Sequence, residues 1–115
     1  MPPDCLFCKI ASGEIPARIA HEDELVLAFH DIAPKAPTHV LIIPREHIGS
    51  AAELGDDHGE LLGRLFAVAA RIARDEGIAD GGYRIVTNVG TWGGQSVDHL
   101  HFHLMGGRAF GWPPG

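Results

Sequence analysis

The chain has 115 residues, 45% of them hydrophobic, enough for one buried core and hardly for two, so a single domain over residues 1–115 is expected, with dimerisation a natural complement at this size. Its formal net charge of -6 disfavours non-specific nucleic-acid binding, which depends on basic surface that releases counterions. No apolar run approaches the roughly 20 residues of a membrane span and no secretory leader pattern is visible, so the expected setting is the cytoplasm, with neither membrane nor nucleic acid as a partner.

The two cysteines, Cys5 and Cys8, form a C-x-x-C pair. They are too few and too close for a secreted disulfide framework, which leaves metal binding or thiol chemistry. Leu25–Phe29 is a short apolar run followed by His30, Asp31 and a loop punctuated by Pro34 and Pro37, which predicts a strand and then a turn. Val40–Ile43 is continuously apolar, rich in β-branched residues and stopped by Pro44, the pattern of a strand buried on both faces. A short helical turn is expected over Ser50–Leu54. From Asp57 to about Gly77, Leu61, Leu62, Leu65, Val68, Ala69 and Ile72 recur at helical spacing. Acidic Asp56, Asp57 and Glu60 at the start and basic Arg71 and Arg74 at the end match the helix dipole. Tyr83–Val89 alternates as a strand, Gly90–Gly94 forms a glycine-rich loop, and Val97–Met105 is the last predicted strand. The terminal Trp112-Pro113-Pro114-Gly115 is expected to be an extended tail.

The chemistry concentrates in that last strand. His99, His101 and His103 stand at i, i+2 and i+4, so on a strand their imidazoles project from one face while Leu100, Phe102 and Leu104 project from the other. Two uses compete. The three rings are metal ligands in a metalloenzyme, completed by a carboxylate, or one ring is a nucleophile whose neighbours hold phosphate oxygens and move protons. Immediately upstream, Gly93 and Gly94 let backbone N–H groups approach an anion, and Gln95 and Ser96 add side-chain donors. A phosphate needs such donors and a metal does not, which favours the nucleophile.

The run His99-Leu100-His101-Phe102-His103-Leu104-Met105, together with FHDIAPKAPTH at 29–39, GGQSV at 93–97 and the terminal WPPG, resembles the histidine triad (HIT) family, in particular its Hint branch of purine nucleoside phosphoramidases. The likeness extends from Phe7 to Gly115. It implies an α+β fold: a largely antiparallel sheet of about five strands with one long and one short helix, paired into a homodimer. It also implies a hydrolase that cleaves purine nucleoside phosphoramidates, or related nucleoside-monophosphate linkages, through a nucleotidyl-histidine intermediate. His101 would be the nucleophile, with His103, Ser96 and His99 completing the catalytic set. Gly94, Gln95, Ser96 and His103 would hold the phosphate. Asp31 would bind the ribose, with Asn88 near the ribose-phosphate, while Phe7, Phe29 and Ile32 would line the base pocket and Trp112 would serve the leaving group of a neighbouring subunit. A histidine rather than a glutamine at 103 favours hydrolysis over nucleotidyl transfer. No cofactor is expected for catalysis.

Bacterial members of that family carry a similar N-terminal cysteine pair, so the resemblance further implies a structural zinc bound by Cys5, Cys8, His47 and His99. His30 and His39 are expected to be structural, His58 solvated, and His21 without a role. A purine-nucleotide-binding regulator with incidental catalysis is the alternative function.

Overall fold

The computed structural model describes residues 4–115 and shows a mixed α/β architecture built on one five-stranded antiparallel sheet. In chain order the elements are α1 (Leu6–Ala11), β1 (Ile19–Glu22), β2 (Val26–His30), β3 (Thr38–Pro44), α2 (Gly59–Asp75), β4 (Tyr83–Val86), α3 (Gly90–Gly93) and β5 (Phe102–Gly106), with single 3₁₀ turns at Ala51–Glu53 and Asp56–His58. The strand order β1-β2-β3-β5-β4 puts β3 at the centre and the histidine-bearing β5 beside it. No helix among the described residues is long and apolar enough to cross a membrane.

Strand β3 is buried along its whole length because both of its faces are covered, as its uninterrupted apolar run requires. Alternation then divides the sheet. Val26, Ala28, Val40, Ile42, Leu100, Phe102 and Leu104 join one core with Leu61, Leu65, Val68, Ala69, Ile72 and Ala73 of α2. Leu27, Phe29, Leu41 and Ile43 face the other way and pack with Cys5, Phe7 and Cys8. Full burial of each Leu or Ile stabilises the fold by about 1.5–3 kcal/mol, so the α2 stripe is the main anchor of the first face. Helix α2 ends where its sequence says it should: Glu76 and Gly77 donate back to the carbonyls of Ile72 and Arg74, and Gly77 takes a left-handed φ of +75°.

The histidine run is only partly a strand. Pairing of β5 with β3 begins at Ile42 opposite Phe102, and pairing with β4 ends at Val86 opposite His103. Residues 97–101, expected as strand, therefore lie outside the ladder, with a bend at 97–99, secured by Leu100 N–H to the Ile48 carbonyl at 2.6 Å and by Thr87 Oγ1 to the His101 carbonyl at 2.8 Å. The glycine-rich loop begins with one helical turn, α3, and Gly94 closes it at φ +87°. Two elements had no periodic signal: α1, whose six residues start at a cysteine that accepts the Cys8 N–H, and β1, four half-exposed residues interrupted by a register shift.

Candidate active site and metal centre

His99, His101 and His103 do lie on the sheet face opposite α2, while Leu100, Phe102 and Leu104 enter the α2 core. The three rings nevertheless do not converge on one point. Phe7, brought in by α1, stands edge-on to both His99 and His101, with ring centroids 6.0 and 5.1 Å away. His99 turns its Nδ1 to the cysteine pair, 3.3 Å from Cys5 Sγ, while His101 and His103 stand together, their centroids 5.1 Å apart. The reading in which all three bind one metal does not match this arrangement.

His101 is buried, and its Nδ1 donates to the carbonyl of His99 at 2.7 Å. That bond fixes the Nδ1–H tautomer and leaves the Nε2 lone pair free. The ring lines a cavity of about 310 Å³ together with Phe7, Phe29, Asp31, Ile32, Ser96 and His103. An imidazole whose Nδ1–H is held by a carbonyl and whose Nε2 is left to a cavity has the orientation a histidine nucleophile requires.

His103 is oriented by a residue whose sequence context gave it only a structural role. The Lys35 backbone N–H donates to His39 Nδ1 at 3.0 Å, so His39 carries its proton on Nε2. That Nε2–H faces His103 Nδ1 at 2.9 Å, with Asp31 Oδ2 at 3.5 Å. His103 Nδ1 therefore accepts, and its proton resides on Nε2. Burial, reinforced by neighbouring His101 and His39, pushes the His103 pKa down to about 4, against the opposing pull of Asp31, so it is a neutral donor near pH 7. Burial likewise lowers the pKa of His39. Strand parity carries the only sequence signal for this pairing: His39 and Leu41 share a face of β3, and Leu41 sits opposite His103.

The second cluster brings Cys5 Sγ, Cys8 Sγ, His47 Nδ1 and His99 Nδ1 within 4.8 Å of one another. Cys5 and Cys8 sulfurs lie 3.3 and 3.5 Å from His99 Nδ1, and His47 Nδ1 lies 3.3 Å from Cys8 Sγ. Tetrahedral zinc with ordinary Zn–S and Zn–N bonds separates sulfur and nitrogen ligands by about 3.5 Å, so the donor set fits that ion. His99 supplies an independent test. Its Nε2 donates to the Pro44 carbonyl at 2.9 Å, which leaves the Nδ1 lone pair for the centre, the arrangement expected of a metal-ligating histidine. Burial, with Cys5 adjacent, pushes the Cys8 thiol up to about 11, so a thiolate here requires a cation. Asp31, His39 and His103 also place potential ligand atoms within 4.8 Å, but the Lys35 N–H on His39 Nδ1 keeps its Nε2 protonated and unfit as a ligand.

Other predicted residues fall less uniformly. Phe7 and Phe29 are buried at the back of the cavity, Ile32 is fully exposed at its mouth, and His30, expected to be structural, also lines it. Asp31 accepts the Ala33 N–H on Oδ1, which orients the carboxylate. Ser96 is exposed at the edge of the cavity. Gln95 does not offer its side chain to a phosphate: Oε1 accepts from Gly90 N–H, and Nε2 donates to the carbonyls of Gly49 and Val97. A side chain so fully engaged fastens the loop instead. Gly94, Asn88 and Trp112 do not line the cavity, and Trp112 is 84% exposed on its own subunit.

Residues 12–110 match the HIT domain family. The chain is 49% identical to the purine nucleoside phosphoramidase of Escherichia coli (strain K12) over 111 residues, which cover 96% of this chain and 93% of that protein. It is 52% identical to a 14 kDa zinc-binding protein of Zea mays over 112 residues, 96% of this chain and 87% of that one. The crystal structure of a HIT family hydrolase from Legionella pneumophila Philadelphia 1 superposes with a TM-score of 0.96 at 54% identity, covering 97% of this chain and 100% of that chain.

Proposed function

The chain belongs to the HIT domain family, and from that premise we propose that it hydrolyses purine nucleoside phosphoramidates through a nucleotidyl-histidine intermediate on His101. The observation that carries this reading is the 2.7 Å bond from His101 Nδ1 to the His99 carbonyl, which engages Nδ1 and leaves Nε2 to the cavity that the ring lines. Likeness to the E. coli phosphoramidase supports the substrate class.

In the first step, His101 Nε2 forms a bond to the α-phosphorus as the phosphorus–nitrogen bond to the leaving amine breaks, and the amine departs with a proton taken from solvent water through the Ser96 hydroxyl, a proton that the attacking water of the second step returns to solvent. In the second, water adds its hydroxyl to phosphorus and gives up a proton, and the phosphorus–imidazole bond breaks to release the nucleoside monophosphate. Imidazole is both a good nucleophile toward phosphorus and a good leaving group from it, which is why two steps are easier than one. The Nε2–H of His103 and the donors of Ser96 stabilise the phosphoryl oxygens, whereas the expected donors at Gly94 and Gln95 are spent inside the loop, on the carbonyls of Thr91 and Gly90. His99 takes part through its main chain, by orienting His101. Asp31 holds the ribose and Phe7, Phe29 and Ile32 hold the base, all four lining the cavity, whereas Asn88 lies outside it.

No step needs a cofactor. Zinc held by Cys5, Cys8, His47 and His99 would be structural, tying α1 to the sheet. The unpaired outer edge of β4 and the exposed Trp112 suit a homodimer in which Trp112 reaches the partner's leaving group; sedimentation at twice the chain mass is the expected result, and a monomer at assay concentration would remove that role.

The test is turnover of adenosine 5′-phosphoramidate by the wild type and His101→Ala, with mass spectrometry for a covalent nucleotidyl adduct. Loss of the nucleophile should lower kcat/KM by at least roughly a thousandfold. Equal rates in the two proteins would sink the mechanism, and nucleotide binding without turnover would favour a regulatory protein.

A further inference from the structure

Residues 107–111, which follow β5, have no part in the steps above, yet they are fastened to the loop that carries Asp31 and Ile32. Arg108 donates through Nε and Nη2 to the single carbonyl of Lys35, at 3.3 and 3.0 Å, and its guanidinium lies 4.3 Å from the centre of the Phe110 ring. Arg84 of β4 reaches the same ring at 5.2 Å and donates to the Gly111 carbonyl at 2.8 Å, which anchors the segment at its far end. Gly107, at φ +90°, lies so close to the loop that a Cβ there would stand 2.8 Å from Cβ of Pro37.

The residue that Arg108 grips is the one that sets the state of His39. Lys35 offers its carbonyl to Arg108 and its N–H to His39 Nδ1. With the carbonyl released, that N–H is free to turn away, and His39 Nδ1 can take the proton instead. His39 Nε2 would then present a lone pair to the lone pair of His103 Nδ1, 2.9 Å away. The clash is relieved when His103 moves its own proton to Nδ1, and that removes the donor from Nε2, the nitrogen facing the cavity.

We propose that Arg108 is a positioning residue which, through Lys35 and His39, holds His103 as the Nε2–H tautomer. The value of that donor in catalysis rests on the phosphoryl-transfer reading; the tautomer itself is a property of the free protein. The charge of Arg108 is not what matters here, because its guanidinium is spent on Lys35, Ala109 and Phe110.

The experiment reads histidine tautomers by long-range ¹H–¹⁵N correlation near pH 7 in the metal-loaded wild type, Arg108→Ala, Arg108→Lys and Gly107→Ala, alongside kcat and KM for adenosine 5′-phosphoramidate. In the wild type, His39 and His103 should be Nε2–H and His101 Nδ1–H. In Arg108→Ala, the His39 and His103 signals should move toward a mixture of tautomers while His101 stays fixed, and kcat should fall about five- to tenfold with KM within about twofold. Arg108→Lys, with one bond where there were two, should recover only part of the loss. Gly107→Ala keeps the charge but pushes the segment off Pro37, and should shift the same two histidines. Unchanged tautomers in Arg108→Ala overturn the proposal, as does full recovery of kcat by lysine, which would assign the effect to charge. A wild type that shows these tautomers but no turnover would instead refute the phosphoramidase reading and leave the Arg108 relay to stand or fall on the spectra.

Discussion

His39, His99 and His103 are all imidazoles withdrawn from water, and the group bonded to one ring nitrogen decides what the other can do. A backbone N–H on His39 Nδ1 makes its Nε2 a donor; a carbonyl on His99 Nε2 leaves its Nδ1 lone pair toward the two cysteine sulfurs. His103 gives this a measurable consequence. Its pKa is depressed from 6.5 to about 4, so between those values the unfolded chain takes up a proton that the native protein refuses. The stabilisation is therefore complete above about pH 6.5 and is lost as the pH falls toward 4. In His103→Gln, the slope of unfolding free energy against pH in that window should shrink by about one proton. An unchanged slope from chemical denaturation at several pH values would mean that His103 titrates normally in the fold.

At the scale of elements, the turn between β1 and β2 shows how a short edge strand without periodicity is held. Asp23 accepts the N–H groups of Leu25 and Val26 on Oδ1, and pairs with His21 and with Arg64 of α2 on Oδ2. Burial alone would raise its pKa, but these partners outweigh it and hold the carboxyl well below the usual range. Asp23→Ala should cost about 2 kcal/mol of stability and leave phosphoramidate turnover unchanged; a loss of activity in the still-folded variant would show that β1 bears on the pocket. This lock explains what was and was not legible in the sequence. Helix α2, β3 and the face alternation of β5 could be read because burial repeats there at periods of 3.6 and 2. Strand β1 could not, because its place depends on one carboxylate reaching both its own turn and another element. The same holds for α1, for the partnership of His39 with His103 and for the engagement of Gln95: each is fixed by residues distant in sequence, which no local pattern records. The cluster of Cys5, Cys8, His47 and His99 was accessible only through family resemblance, since a C-x-x-C pair does not name its distant histidines.

Across the whole molecule, that cluster is where the N-terminal segment meets the sheet. Elemental analysis of protein purified without chelator should give about one zinc per chain. Cys5→Ser/Cys8→Ser should contain none and melt at a lower temperature, because α1 would lose its tie to the sheet. Absence of stoichiometric zinc from the wild type would remove the site. Cys5 and His99 are 94 positions apart in the chain, and His99 also supplies the carbonyl that orients His101. During synthesis the two thiols therefore precede their last partner by more than ninety residues. The bonds from Leu100 to Ile48 and from Thr87 to His101 then hold the neighbouring residues in register. Closing so wide a loop is entropically costly and slow, so the clasp between Cys5 and His99 should be among the late contacts of folding.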